Sequence, residues 1–127
     1  CLVNESVSKN IKLNDLGTTF GGGMLAMAAV LATIEAIEND KMRSNISEIE
    51  NYLRESVKEI KAVKNLLGKG GLLGIEFAEN CKLIHQKLLE NKIITGTSSN
   101  PNVLRLLPPL CVKKEEIDLL IEVLAAD

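Results

Sequence analysis

The spacing of hydrophobic residues changes sharply at Met24. Residues 24–38 are mostly Ala, Leu, Met, Val and Ile, with neither Gly nor Pro, and this composition favours a helix. Apolar residues occupy nearly every side of that helix, which is typical of a helix surrounded by protein. We therefore predict a buried helix over residues 24–38, ended by Asn39-Asp40 and preceded by a mixed segment of short apolar, polar and glycine positions.

A second helix is predicted to begin at Ser44 or Asn45 and to end near Lys61. Glu48 follows Asn45 by three positions, the spacing of a capping box. Apolar residues recur at steps of three and four and predict one buried stripe: Ile46, Ile49, Tyr52, Leu53, Val57 and Ile60. The opposite face is charged and is predicted to be solvated: Glu48, Glu50, Arg54, Glu55, Lys58 and Glu59.

The rest of the chain alternates glycine- and proline-rich breaks with short apolar runs. Glycines at 68–71 interrupt the chain before a β-type run, and Pro108-Pro109 ends a later one. The predicted elements are a strand at 72–77, a helix at 80–92, a β-rich run at 93–97, a strand at 103–107 and a helix at 113–126. This order predicts an α/β or α+β fold, with helices packed on a small sheet.

Composition and charge narrow the possible functions. The net charge is −2, and only Phe20, Tyr52 and Phe77 are aromatic, so a nucleic-acid surface, a basic membrane surface and an aromatic cage are all disfavoured. The 127 residues suit one domain, and no apolar stretch is long enough to cross a bilayer. The three cysteines are too far apart for a disulfide framework or a zinc site, so we expect reduced cysteines, no metal and a cytoplasmic protein.

Residues 17–23, with the sequence GTTFGGG, lie directly before the long apolar helix. Glycines allow the backbone to approach a ligand closely, and hydroxyls and free amides at a helix start can donate to an anion such as phosphate. No Lys-Ser/Thr follows the glycines, as a P-loop would require, and the spacing does not fit a dinucleotide-binding fingerprint. The segment is therefore either an anion site or a glycine turn with a structural role.

Arg105 is the one charged residue inside the apolar strand at 103–107. A guanidinium inside protein must find an anion, because its desolvation is costly. The pattern leaves two interpretations open: Arg105 points to solvent or pairs with a structural carboxylate, or it binds a ligand.

These two segments resemble the class III, pyridoxal-phosphate-dependent aminotransferases of the acetylornithine type. The resemblance rests on GTTFGG followed by an alanine-rich helix, on NVLRLLPPL followed by KEEID, and on GLLGIE at 71–76. It covers the whole chain. The sequence departs from the family pattern at Leu16, where His is usual, at Gly23-Met24, where Asn-Pro is usual, and at Leu67, where Arg is expected.

The resemblance implies a fold and a division of the chain. Residues 44–127 would form the small C-terminal domain of the fold-type I aminotransferases, with a mostly antiparallel sheet. Residues 24–43 would form an interdomain helix, and residues 1–23 would end the large cofactor-binding domain. In a homodimer, Thr19 would bind the pyridoxal phosphate of the other subunit and Thr18 would lie near the substrate. Arg105 would bind the α-carboxylate of the amino-acid substrate, and the ligands of the enzyme would be amino-acid and 2-oxo-acid substrates.

The resemblance also implies a missing part. The Schiff-base lysine of the family is expected upstream of residue 1, so we expect the full-length protein to be the enzyme and this chain alone to be inactive and free of cofactor. The implied reaction transfers an amino group from N-acetylornithine to 2-oxoglutarate in arginine biosynthesis. Ornithine, succinylornithine and 4-aminobutyrate aminotransferases are alternatives, as is a dimerisation or binding module without catalysis.

Overall fold

A computed structural model describes residues 3–126. The chain forms two compact units, one ending at Glu35 and the other beginning at Ala36, so the division falls inside a helix. None of the described helices is both long and apolar enough to span a membrane.

The first unit contains a short helix, α1 (Glu5–Ser8), and most of a long one, α2 (Met24–Asn39). The carboxamide oxygen of Asn4 caps α1 by accepting a 3.0 Å hydrogen bond from the Val7 amide. Between the helices the chain runs through loops and turns.

The α2 helix forms where the composition predicts it, but none of its residues is buried. Met24 and Leu25 are 92% and 86% exposed. The prediction of a buried helix is therefore wrong for this chain by itself. The composition determines that a helix forms, whereas its burial requires a surface that the described residues do not provide.

The second unit is a four-stranded antiparallel sheet with helices packed on one face. Its strands are β1 (Val63–Lys69), β2 (Leu72–Phe77), β3 (Gly96–Thr97) and β4 (Val103–Leu106), in the order β1-β2-β4-β3. Its helices, after the end of α2, are α3 (Met42–Val57), α4 (Lys82–Glu90) and α5 (Lys114–Ala125). This arrangement confirms the predicted fold of helices on a small, mostly antiparallel sheet.

The core lies between one face of the sheet and the three helices. Ile75 on β2 and Leu104 on β4 are paired across the two strands, and both are fully buried. The predicted stripe of α3 meets this face, since Leu53 is 1% exposed and Ile46, Ile49 and Val57 are also buried. The helix ends at Val57, earlier than predicted, but the following turn still buries Ile60.

The predicted capping box at the start of α3 does not form. The helix begins at Met42, after Lys41 in the left-handed conformation (φ 51°). The Asn45 side chain instead donates to the carbonyl oxygens of Leu110 and Val112, at 2.8 and 3.0 Å. These carbonyls lie in the loop before α5, outside any strand, so a side-chain donor satisfies them.

Strand β1 was not predicted from the sequence. Of its seven residues only Leu66 is buried, because β1 is an edge strand paired to β2 alone. Its hairpin with β2 closes through Gly70 and Gly71, with Lys69 paired to Leu72. Gly68 has φ +88°, and a Cβ there would lie 2.1 Å from the Leu72 carbonyl oxygen. The glycines that suggested a break therefore shape a tight hairpin.

Two residues of the predicted solvated face of α3 bind this hairpin instead. Arg54 donates to the carbonyl oxygens of Leu66 (2.8 Å) and Gly68 (2.6 Å) and pairs with Glu50 at 2.8 Å. The Glu50 carboxylate accepts a 2.6 Å hydrogen bond from the Gly70 amide. Because this amide and then Arg54 stabilise the charged carboxylate, the pKa of Glu50 is lowered from its usual 4.5. Glu48, Glu55, Lys58 and Glu59 are exposed, as predicted.

Candidate functional site

Arg105 lies on the face of the sheet opposite the core. Its neighbours along β4, Leu104 and Leu106, are buried, whereas Arg105 is exposed, as the alternation of side chains in a strand requires. It is paired across β2 with Gly74 and across β3 with Gly96. Glycines therefore flank the arginine on both adjacent strands.

The Arg105 side chain lies close to the backbone of Gly96. A Cβ built at Gly96 would be 2.9 Å from Nε and 3.2 Å from Nη2 of Arg105. On the other side, a Cβ at Gly74 would lie 2.9 Å from Cγ1 of Val103. The guanidinium thus occupies space that any side chain at position 96 would take.

Within residues 3–126, Arg105 makes no hydrogen bond and no ion pair. Glu76, on the same face of β2, pairs with Lys64 at 3.5 Å instead. The nearby Leu67 and Leu72 are 40% and 58% exposed, which makes this part of the face partly apolar. The sheet thus presents a fork of N–H donors without an acceptor, a geometry that suits a carboxylate.

The glycine-threonine loop lies in the first unit. Thr18 and Thr19 are exposed and make no side-chain hydrogen bond within the described part of the chain. A Cβ at Gly21 would lie 2.1 Å from Cγ2 of Thr18, so the Thr18 side chain would have to rotate, and Gly22 has φ +80°, a conformation that favours glycine.

The loop leads into the first turn of α2. Met27 donates the first helical hydrogen bond, to the Gly23 carbonyl oxygen at 2.9 Å. The three amides before Met27 therefore have no acceptor in the helix, as is usual at a helix start. Free amides next to free hydroxyls can hold an anion such as a phosphate group. Arg105 belongs to the other unit, so the structure describes these two groups of donors separately.

A cavity of about 210 Å³ lies on the core face of the sheet, and nothing in the sequence predicted it. Its lining is mostly apolar and includes Leu73, Leu106 and Thr95, whose buried hydroxyl has no hydrogen-bond partner in the described structure. Leu106 points to this face and Arg105 to the other, so the cavity is not part of the arginine site.

Cys81 and Cys111 carry free thiols, and Cys1 lies outside the described residues. Burial raises the pKa of the Cys81 thiol, which disfavours its reactive thiolate form. Among residues 3–126, no three His, Cys, Asp or Glu side chains are grouped as a metal site would require.

Comparison with known proteins supplies the context for these donors. The chain matches the family model described as aminotransferase class-III over residues 1–126. It is 33% identical over 124 residues to an acetylornithine aminotransferase of Archaeoglobus fulgidus, covering 98% of this chain and 32% of that protein. The chain therefore spans about a third of the length of such curated relatives.

Two solved structures have the same fold over 98% of the chain. An acetylornithine aminotransferase from Elizabethkingia anophelis superposes with a TM-score of 0.79 at 23% identity, and the match covers 35% of that chain. An ornithine delta-aminotransferase from Plasmodium falciparum superposes with a TM-score of 0.75 at 33% identity, covering 33% of its chain.

Proposed function

Because the chain belongs to the class-III aminotransferases, we propose that it supplies the substrate-carboxylate and cofactor-phosphate contacts of an acetylornithine-type aminotransferase. The observation that carries the proposal is Arg105, an arginine without a partner in the described structure, on an open and partly apolar sheet face. A planar guanidinium offers two parallel N–H donors that match the two oxygens of a carboxylate. Arg105 would hold the α-carboxylate of the 2-oxo acid, next to the carbon that receives the amino group, and that of the amino acid formed from it.

The glycine-threonine loop fits the phosphate of pyridoxal phosphate. Thr19 would donate its hydroxyl to that phosphate, and Thr18 would lie at the substrate end, where its hydroxyl orients the amino acid. The free hydroxyls, the free amides of α2 and the absence of a Cβ at Gly21 support this assignment. The chemistry that pyridoxal phosphate supplies when bound is an electron sink for charge developing at the substrate carbon.

The lysine that binds the cofactor covalently would lie outside this sequence, so the chain alone would be inactive. Residues 1–23 would end the large domain, residues 24–43 would form an interdomain helix, and residues 44–127 would form the small domain. In the proposed homodimer, the loop would serve the cofactor site of the other subunit. Exposed apolar residues of α2 such as Met24 and Leu25 support such an interface.

N-acetylornithine is the proposed amino donor and 2-oxoglutarate the proposed acceptor, in a cytoplasmic enzyme of arginine biosynthesis. Ornithine is the main alternative donor. The ornithine delta-aminotransferase of Plasmodium falciparum is 33% identical to this chain, as is the acetylornithine aminotransferase of Archaeoglobus fulgidus. Substrate contacts from the rest of the protein would decide between the two.

Transamination by the complete protein tests the proposal. The complete protein should take up pyridoxal phosphate, absorb visible light, and lose that absorption on addition of N-acetylornithine faster than on addition of ornithine or 4-aminobutyrate. The Thr19→Val variant should bind pyridoxal phosphate more weakly, and Thr33→Val, a change of an α2 threonine, should not. A complete protein that binds no cofactor would instead support a dimerisation module without catalysis.

A further inference from the structure

Gly96 stands at a position where the backbone does not require glycine. Gly22, Gly68 and Gly70 have positive φ angles, which other residues adopt only with strain, but Gly96 does not. It lies in β3, a strand of two residues, and is paired directly with Arg105. What position 96 lacks is space for a side chain.

The Arg105 side chain fills that space. A Cβ at position 96 would meet three of its atoms, Nε at 2.9 Å, Nη2 at 3.2 Å and Cβ at 3.5 Å. The side chain therefore lies against the strand β3 backbone along its length, from its first carbon to the guanidinium. An exposed arginine would otherwise sample many rotamers, and contact with a strand on one side restricts them.

We infer that Gly96 is a positioning residue for Arg105: by leaving the space beside β4 empty, it lets the guanidinium lie against β3 and present its donors in one fixed direction. The inference rests on the proposed function of Arg105 as the carboxylate-binding residue. Two-point binding of a carboxylate depends on the direction of the donors, so a displaced guanidinium would bind the substrate less well while remaining charged.

The Gly96→Ala variant should displace the Arg105 side chain without destabilising the fold, so it distinguishes a positioning role of Gly96 from a role in folding. The atoms that the new methyl group would meet belong to a flexible, exposed side chain, so Arg105 can move aside at little cost to stability. Thr97→Ala is the matched control, because Thr97 is the other residue of β3 and is paired with Leu104 rather than Arg105.

The first measurement uses the 127-residue chain and needs no cofactor. The ¹H–¹⁵N resonance of Arg105 Nε, assigned by its loss in Arg105→Lys, should shift and exchange faster with solvent in Gly96→Ala. It should stay unchanged in Thr97→Ala, and the melting temperature should be the same in both variants. An Nε resonance that does not move in Gly96→Ala would overturn the inference.

The second measurement uses the complete enzyme. Gly96→Ala should raise the KM for the 2-oxo acid by about 10- to 100-fold with little change in kcat. In the Arg105→Lys background it should cause no further rise. A KM that rises in Arg105→Lys but not in Gly96→Ala would overturn the positioning role alone. A KM that rises in neither variant would overturn the carboxylate assignment, and the positioning role with it.

Discussion

Arg54 and Arg105 are both arginines next to apolar residues, but only the side chain of Arg54 has hydrogen-bond partners in the described structure. Arg54 donates to two carbonyl oxygens of the β1–β2 hairpin and pairs with Glu50. Arg105 has no acceptor in the described structure. A satisfied guanidinium stabilises a fold, whereas one without a partner on an open face is available to a ligand.

Stability should therefore respond differently to the loss of each arginine. Arg54→Ala should lower the free energy of unfolding by about 1–3 kcal/mol, because Glu50 and two carbonyls lose their partner. Arg105→Ala should change it by less than about 0.5 kcal/mol. Urea denaturation of the chain measures both. Equal losses in the two variants would show that Arg105 has a structural role as well.

The hydrogen bond from Gly70 to Glu50 predicts a dependence of stability on pH. The pKa of Glu50 is lowered in the folded state, first by that amide and then by Arg54. The stabilisation is therefore fully present above the unfolded pKa, near 4.5, and is lost as the pH falls through the lower, folded pKa.

Denaturation of the Glu50→Gln variant across this pH range tests whether stability changes with pH in the predicted direction. The variant should be less stable than the wild type at pH 7. The difference should shrink as the pH falls below 4.5, where the unfolded state takes up the proton first, and vanish once the folded carboxylate is protonated as well. Glu48→Gln, a change of an exposed glutamate on the same helix, is the control and should show no such trend. A Glu50→Gln difference that stays constant with pH would contradict the assignment.

At the level of helices and strands, the sequence predicts elements with a regular buried stripe and misses those without one. The stripe of α3 is regular and was predicted correctly, as were β2 and β4, whose inward residues alternate. Strand β1 was missed because an edge strand buries few side chains, here only that of Leu66. The capping box at Asn45 was predicted wrongly, because the Asn45 side chain donates instead to the carbonyl oxygens of Leu110 and Val112. These residues are more than sixty positions away in the sequence, so local spacing does not reveal the contact.

A leucine of α3 should contribute more to the free energy of unfolding than a leucine of α2. Leu53 of α3 is 1% exposed, so Leu53→Ala should cost about 2–5 kcal/mol of unfolding free energy. Leu25 of α2 is 86% exposed, so Leu25→Ala should cost less than about 0.5 kcal/mol in the same chain. A large loss for Leu25→Ala at low protein concentration would mean that α2 is covered in solution.

Across the whole molecule, burial is distributed unevenly. Among residues 3–126, every buried hydrophobic residue lies between Ile46 and Leu124, in the second unit. The first unit exposes large apolar side chains along its described length, among them Leu13, Phe20 and Met24. Such a surface favours association with other protein.

We expect the isolated chain to associate as its concentration rises. Leu25→Glu should weaken this association, because a charge on α2 would have to lose its water. Leu119→Glu is the control, since Leu119 is 55% exposed on α5 in the other unit. Sedimentation velocity over a range of concentrations measures the effect, and a monomer at every concentration would be inconsistent with this account.

The candidate site could be predicted only in part. The types of residue pointed to anion binding, and the resemblance gave Thr18, Thr19 and Arg105 the roles that are proposed for them. What the sequence could not reveal is which donors the fold leaves without partners, since Arg54 and Arg105 look alike until the hairpin is built. Gly96 gave no signal either, because its importance comes from the strand pairing that places it opposite Arg105.

The most direct test of the proposed function is the KM of the proposed full-length aminotransferase for its 2-oxo acid after Arg105→Lys, with Arg43→Lys, a change of an exposed arginine on α3, as the control. Lysine keeps the charge but loses the two-pronged geometry, at a cost of about 1.5–3 kcal/mol in binding. The account predicts a KM about 10- to 100-fold higher for Arg105→Lys and unchanged for Arg43→Lys. A KM that stays the same in Arg105→Lys would contradict the assignment of Arg105 as the residue that holds the substrate carboxylate.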